Sequence, residues 1–189
     1  IAIMFTNSYH YGGKFIDISN KNTEVARRLK SVKYKFLMNY PEMDTVINNF
    51  DIDLETVFSN QDINTEVLFE KSFFNDPMYI LYSSGTTGKP KCIVHNTGGP
   101  LIQHMKEQQL HCDLKKNDKI FYFTTCGWMM WNWLITALSS NASILLYDGS
   151  PFFPEKDSLF KIAEEEELDI FGVSAKYIDA LRNFQITIK

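Results

Sequence analysis

Nine consecutive residues concentrate most of the ligand-binding chemistry of this chain: Ser83-Ser84-Gly85-Thr86-Thr87-Gly88-Lys89-Pro90-Lys91. Gly85 and Gly88 let the backbone bend and come close to a ligand. The amide N–H groups of such a bend form a concavity for an anion. Ser83, Ser84, Thr86 and Thr87 add hydroxyl donors, Lys89 and Lys91 add positive charge, and Pro90 stiffens the exit. A donor-rich, cationic loop after the apolar run Met78 to Ser83 suits a polyphosphate. The Walker A pattern does not fit, because only Thr86 and Thr87 separate the glycines and Pro90 follows Lys89. A kinase or P-loop NTPase is therefore disfavoured. The plainer alternative is a Gly-rich hairpin whose hydroxyls are incidental.

The order [ST]-S-G-[ST]-T-G-x-P-K resembles, at all nine positions, the signature loop of the adenylate-forming superfamily, which includes acyl-CoA synthetases, nonribosomal peptide adenylation domains and luciferases. Further segments resemble the acetoacetyl-CoA synthetase family within it. These are Lys91 to His95, Leu110 to Leu114, Phe121 to Trp133, Tyr147 to Pro151 and Phe171 to Tyr177. The likeness is close from Met78 to Leu181 and looser from Ile1 to Leu29. It implies ATP-dependent ligation of acetoacetate to coenzyme A through an acyl-adenylate, with AMP and pyrophosphate released. It implies ATP, Mg2+ and coenzyme A as cofactors or co-substrates.

By the same resemblance, Ser83, Ser84, Gly85, Thr86, Thr87, Gly88 and Lys91 grip the ATP phosphates, while Lys89 falls where the family varies. Gly127, Trp128, Met129 and Trp131 would form part of an acyl pocket. Against this, Trp128, Trp131 and Ile135 are at helical spacing and would serve equally as core. Lys14, in Tyr11-Gly12-Gly13-Lys14, falls near the family's coenzyme A nucleotide site, although a plain surface turn explains it too. No residue is assigned as catalytic, because the family's catalytic lysine would lie beyond Lys189. The adenine and ribose motifs and the small C-terminal domain would lie there as well. Two rivals stay open: a ligase for acetate or another short acid, and a noncatalytic nucleotide-binding module.

The elements that must position these residues follow from patterning. The expected fold is α/β, a mostly parallel sheet with crossover helices; the resemblance implies that it forms part of the large N-terminal domain of an adenylate-forming enzyme. Strands are expected at Ile1 to Phe5, Tyr34 to Tyr40, Met78 to Ser83, Cys92 to His95, Lys119 to Thr124, Ser143 to Tyr147 and Leu168 to Val173. Helices are expected through Leu29, capped by Ser19 or Asn22, from Gly98, and at Trp128 to Ser139, Asp157 to Glu167 and Ser174 to Phe184. Residues 41 to 76 read as surface elaboration, with short helices around Met43 to Ile47 and Ile63 to Leu68. An approximate boundary separates the end of one subdomain, 1–76, from the phosphate-loop-bearing part, 77–189. The run at each terminus reads as cut, so the chain is expected to be an internal fragment, inactive alone.

Composition bounds the rest. Of 189 residues, 44% are hydrophobic and 14% aromatic, enough to build a core rather than a disordered chain. A net charge of −4 disfavours nonspecific nucleic-acid binding. The three cysteines, Cys92, Cys112 and Cys126, form no C-x-x-C pair. Reduced and mostly buried thiols suit a cytoplasmic enzyme. His95 is expected to be packed, and Glu164 to Glu167 solvated. No run is long enough to span a membrane. The expected partners are small-molecule substrates, with no nucleic acid, and the oligomeric state is left open.

Overall fold

A computed structural model describes residues 1–40, 52–59, 66, 68–83 and 88–186. The fold is α/β, with two parallel three-stranded sheets and two antiparallel hairpins among the described residues. The chain divides into two compact units, Ile1–Leu68 and Phe69–Lys189.

In the first unit β1 (Ala2–Thr6), β4 (Tyr34–Met38) and β5 (Ile52–Asp53) form a parallel sheet in the order β1-β4-β5. Between β1 and β4 lie a hairpin, β2 (Ser8–Tyr11) and β3 (Lys14–Asp17), and helix α1 (Ser19–Arg28). Gly12 and Gly13 turn the hairpin at φ +59° and +76°, the pair of positive values that a two-residue type I′ turn requires. Neither Ser19 nor Asn22 caps α1, contrary to expectation. The Asp17 carboxylate accepts the Ser19 N–H at 2.8 Å instead, so the anion sits at the positive end of the helix. Asn22 is drawn inward, donating to the Thr6 carbonyl at 2.5 Å.

At the carboxyl end of β1, Asn7 is 0% exposed. Its Oδ1 accepts from Tyr40 N at 2.8 Å and Ser8 Oγ at 3.2 Å, and its Nδ2 donates to Asn39 at 3.2 Å. Its backbone carbonyl accepts from Ile18 N at 2.9 Å. A buried amide paired this fully ties β1, the hairpin exit and β4 together. The strands β2, β3 and β5 and helix α2 (Leu54–Ser59) were not read from the sequence. They are short, and none shows a clear hydrophobic period. The helix expected at Met43 to Ile47 lies outside the described residues, as does most of the one at Ile63 to Leu68.

The second unit begins with a hairpin, β6 (Pro77–Ser83) and β7 (Lys91–Asn96). Helix α3 (Gly98–Lys106) follows and widens into a π-helical turn, Glu107–His111. A parallel sheet in the order β10-β8-β9 comes next. Its strands are β8 (Lys119–Tyr122), β9 (Ser143–Leu145) and β10 (Ile170–Gly172). Helix α4 (Met129–Thr136), continued as a 3-10 turn at Ala137–Ser140, crosses from β8 to β9. Helix α5 (Ser158–Glu165) crosses back to β10, and α6 (Ala175–Asn183) follows, its first turn capped by Ser174.

The chain thus moves outward from β8 and then returns past it, which places helices on both faces of the sheet. Adjacent β8 residues serve the two faces. Ile120, 0% exposed, packs in a core with Leu114, Trp133, Leu134 and Ala137. Phe121, 2% exposed, packs with Leu159, Tyr177 and Leu181. The buried face of α4 is Met130, Trp133, Leu134 and Ala137, whereas Trp128 and Ile135 are exposed. The core reading of Trp128, Trp131 and Ile135 is thereby corrected, since the helix is turned by about one residue from that stripe.

Two consequences can be measured. Gly172 pairs with Tyr122 across β10 and β8, and a Cβ there would stand 2.3 Å from Tyr122 Cδ2. Gly172→Ala should therefore destabilise the protein by about 1–3 kcal/mol in urea unfolding. The same change at Gly127, where a Cβ meets nothing within 4 Å, should stay within about 0.5 kcal/mol.

His104, buried on α3, has its pKa lowered by burial and by nearby His95, with Glu107 opposing. The unfolded chain binds the proton first. This contribution to stability is therefore whole above the ordinary value of 6.5 and is lost as pH falls below it. The drop in Tm between pH 7.5 and 5.5 should be larger for the unsubstituted protein than for His104→Gln.

Candidate functional site

Ser83 is the last residue of β6 and pairs directly with Lys91, the first of β7. The register of this hairpin runs Tyr79↔His95, Ile80↔Val94, Leu81↔Ile93 and Tyr82↔Cys92, so Ser83 and Lys91 close the strands on one face. Between them Ser84, Gly85, Thr86 and Thr87 lie outside the described residues. Gly88 adopts φ +152°, with nothing near the site of a Cβ, and Lys89 and Lys91 are exposed. The hairpin is fastened at its other end. Thr97 donates through N (2.9 Å) and Oγ1 (3.0 Å) to the Asp76 carbonyl, and Gly98 N donates to Phe74 O at 2.9 Å. Gly98 also lies against the Phe74 ring, where a Cβ would come within 2.1 Å. Asn96 Oδ1 accepts from Gly99 N at 2.8 Å, so the first turn of α3 is capped from β7. His95 stacks on Tyr79 with ring centroids 4.9 Å apart, the packed role expected of it.

A second feature lies at the carboxyl ends of β8 and β9, where open parallel sheets place ligand crevices. It is a cleft of about 370 Å³. One wall is Thr124, Thr125 and Cys126, another is Tyr147 and Asp148, and Trp131 and Leu134 reach in from α4. Tyr122 and Leu145 complete the strand side. Of the four residues expected at an acyl pocket, Trp131 lines this cleft. Gly127, Trp128 and Met129 stand at the start of α4, all exposed, and do not line it; Trp128 is 65% exposed.

The Tyr147 hydroxyl donates to Ser150 O at 3.0 Å, and burial together with Asp148 raises its pKa, so it remains a neutral donor. Sequence reasoning did not single out Thr124, Thr125, Tyr147 or Asp148. The available signals were the family-like segments that contain them, Phe121 to Trp133 and Tyr147 to Pro151, and their place just past the ends of two parallel strands.

Lys14 opens β3 beside the Gly12–Gly13 turn, exposed, in the first unit. Cys92 and Cys126 are exposed and Cys112 is partly buried, which corrects the expectation of mostly buried thiols. Both exposed thiols follow from local geometry: Cys92 faces out from a hairpin, and Cys126 sits on the strand-to-helix loop. Glu164 to Glu167 are exposed, as expected. Among the described residues no group of three His, Cys, Asp or Glu side chains could hold a metal, and no helix is long and apolar enough to cross a membrane.

Comparison with known proteins agrees with this architecture. The chain is 58% identical over 113 residues to an acetoacetyl-coenzyme A synthetase of Rhizobium meliloti (strain 1021), a match covering 60% of the chain and 17% of that protein. It is 33% identical over 177 residues to an acetoacetyl-CoA synthetase of Macaca fascicularis, covering 90% of the chain and 26% of that protein. The solved structure of the acetoacetyl-CoA synthetase from Streptomyces lividans superposes with a TM-score of 0.88 at 38% identity, over 98% of this chain and 28% of that one. The chain therefore spans roughly a sixth to a quarter of the length of the curated relatives it matches. The model of the AMP-binding enzyme family matches residues 16–189, and with the β6–β7 hairpin and the strand-end cleft both inside that match, the chain belongs to the AMP-binding enzyme family.

Proposed function

We propose that this chain supplies the phosphate grip and part of the acyl pocket of an ATP-dependent acid–thiol ligase that joins acetoacetate to coenzyme A. The observation that carries the reading is that the nine-residue signature begins and ends on a paired couple, Ser83 and Lys91. The names of the similar proteins support the substrate. In this reading the chain is part of the N-terminal AMP-binding domain, with 1–76 ending one subdomain and 77–189 bearing the loop, and it acts in the cytoplasm. Three unpaired cysteines support that compartment.

The chemistry is charge management. The acetoacetate carboxylate attacks the α-phosphorus of ATP, the bond to the β-phosphate oxygen breaks, and pyrophosphate leaves. The coenzyme A sulfur then attacks the acyl carbon, AMP leaves, and the thiol proton passes to solvent. In the first step an anion approaches a polyanion, so donors must draw charge onto the outer phosphates. Ser83, Ser84, Gly85, Thr86, Thr87, Gly88 and Lys91 take the β- and γ-phosphates. These groups are donors suited to phosphate and include no carboxylate, so Mg2+ would enter on the nucleotide itself. Trp131, with Gly127, Trp128 and Met129 beside it, takes the acyl end, and Lys14 meets a phosphate of coenzyme A. The cleft of about 370 Å³ leaves room for an acid larger than acetate.

The test follows AMP and pyrophosphate release by the polypeptide that carries this chain, with ATP, Mg2+ and coenzyme A and either acetoacetate or acetate. Faster turnover of acetoacetate is expected. A preference for acetate would remove the substrate assignment and keep the chemistry. Absence of acid-dependent AMP formation with both acids would leave only a nucleotide-binding module. Gly88→Val should lower AMP formation at least about 100-fold, with the protein still folding cooperatively and Tm lowered only by the local strain of a β-branched residue at φ +152°. Undiminished turnover in that variant would sink the phosphate assignment.

A further inference from the structure

Gln108 lies one turn beyond His104 on the buried side of its helix, and it is 0% exposed. Its Nε2 donates to the Trp133 carbonyl at 2.6 Å, while its Oε1 has no partner among the described residues. The geometry on both sides is made for this contact. On α3 the helix widens into the π-helical turn Glu107–His111, a form uncommon in helices and frequent at functional positions. On α4 the hydrogen-bond ladder tightens toward the 3-10 turn, and Ala137 N donates to the Leu134 and Ile135 carbonyls. The Trp133 carbonyl is thereby left for a side chain. An apolar residue would fill the same volume without burying an unpaired amide oxygen, so the polar choice fixes register rather than adding bulk.

What Gln108 holds is the inner wall of the cleft. Trp131 and Leu134, on the same turn as Trp133, line it. The Trp133 ring meets Tyr122 edge-on with centroids 6.0 Å apart, and Tyr122 lines it too. Helix α3, which runs on into the π-helical turn that carries Gln108, begins two residues after β7, the strand that leaves the phosphate loop. We propose that Gln108 is a positioning residue: through the Trp133 carbonyl it sets the α4 wall of the cleft and so the fit of the acid substrate. This rests on the ligase reading for the substrate, though not for the geometry.

The test uses Gln108→Met, of similar volume and without the donor, in the polypeptide that carries this chain. Gln109→Met, which removes only an exposed contact to Ser140 (3.1 Å), is the control. Two readouts are taken. The first is KM for acetoacetate and for ATP in AMP formation. The second is alkylation of Cys126, which lines the cleft, against Cys92 on the hairpin as internal reference. In Gln108→Met the KM for acetoacetate should rise about tenfold with that for ATP within about twofold, since a shifted wall disturbs only the acid's placement. Cys126 alkylation should rise at least about threefold relative to Cys92, and Gln109→Met should change neither. A purely structural role would lower Tm and kcat while leaving the acetoacetate KM and the Cys126-to-Cys92 ratio unchanged, and that result overturns the proposal. If the unsubstituted enzyme turns over no short acid, the ligase reading fails and the alkylation ratio alone decides for or against Gln108. Should Gln108→Met not fold, Gln108→Asn, one methylene too short for the contact, carries the same measurements.

Discussion

Strand β8 is buried on both faces, and most of the second unit is arranged by that fact. Ile120 and Phe121 are adjacent and both sealed from water, so each face needs its own apolar cover. Helix α4 covers one face, and α5 and α6 cover the other. Burying either side chain is worth about 1.5–3 kcal/mol, which no single surface contact here rivals. Once the helices are committed to opposite faces, the loops leaving β8 and β9 stand at one end of the sheet, and a cleft opens there as a matter of topology. The cleft needs no special sequence to exist. Its lining needs particular residues to be useful.

Much of this was legible in the sequence because it rests on patterning. The strand–helix alternation from Lys119 to Asn183 could be read from apolar runs and turn residues, and so could the pairing of the strands around the loop. What escaped reading depends on contacts distant in sequence. Asn22 looks like a cap until Thr6 is placed beside it, and the capping role passes to Asp17. Strand β5 has two residues and no period to detect. On α4, Trp128, Trp131, Trp133 and Ile135 offer two plausible faces. The choice fell to the face that meets Ile120, and a single-sequence pattern carries no such information.

The site divides in the same way. The loop residues were proposed from type and order, since nearly every one is a donor or a glycine. The cleft residues Thr124, Thr125, Tyr147 and Asp148 lie in the family-like segments, yet no chemical pattern among them marks a site, and the convergence of β8 and β9 brings them together. Trp131 and Trp128 are equally conspicuous in the sequence; Trp131 lines the cleft, whereas Trp128 lies exposed and does not line it.

The two halves of the proposed chemistry call for different kinds of support, and the structure differs accordingly. In the proposed chemistry, phosphate is met by many weak donors from one loop. The hairpin therefore needs anchoring only at its base, where Asp76, Phe74 and Asn96 hold it. A small acid offers few atoms to bind, and its placement depends on walls that do not move. At the α3–α4 seam the walls are tied by polar contacts as well as packing. His104 Nδ1 lies 3.0 Å from Thr136 Oγ1, whose own proton goes to the Asn132 carbonyl at 2.8 Å, so the imidazole must be the donor. Gln108 and His104 thus hold α4 at two points four residues apart along α3, one turn of the helix. Two such points add directional constraints on the rotation and axial position of α4 to those of its packed apolar face.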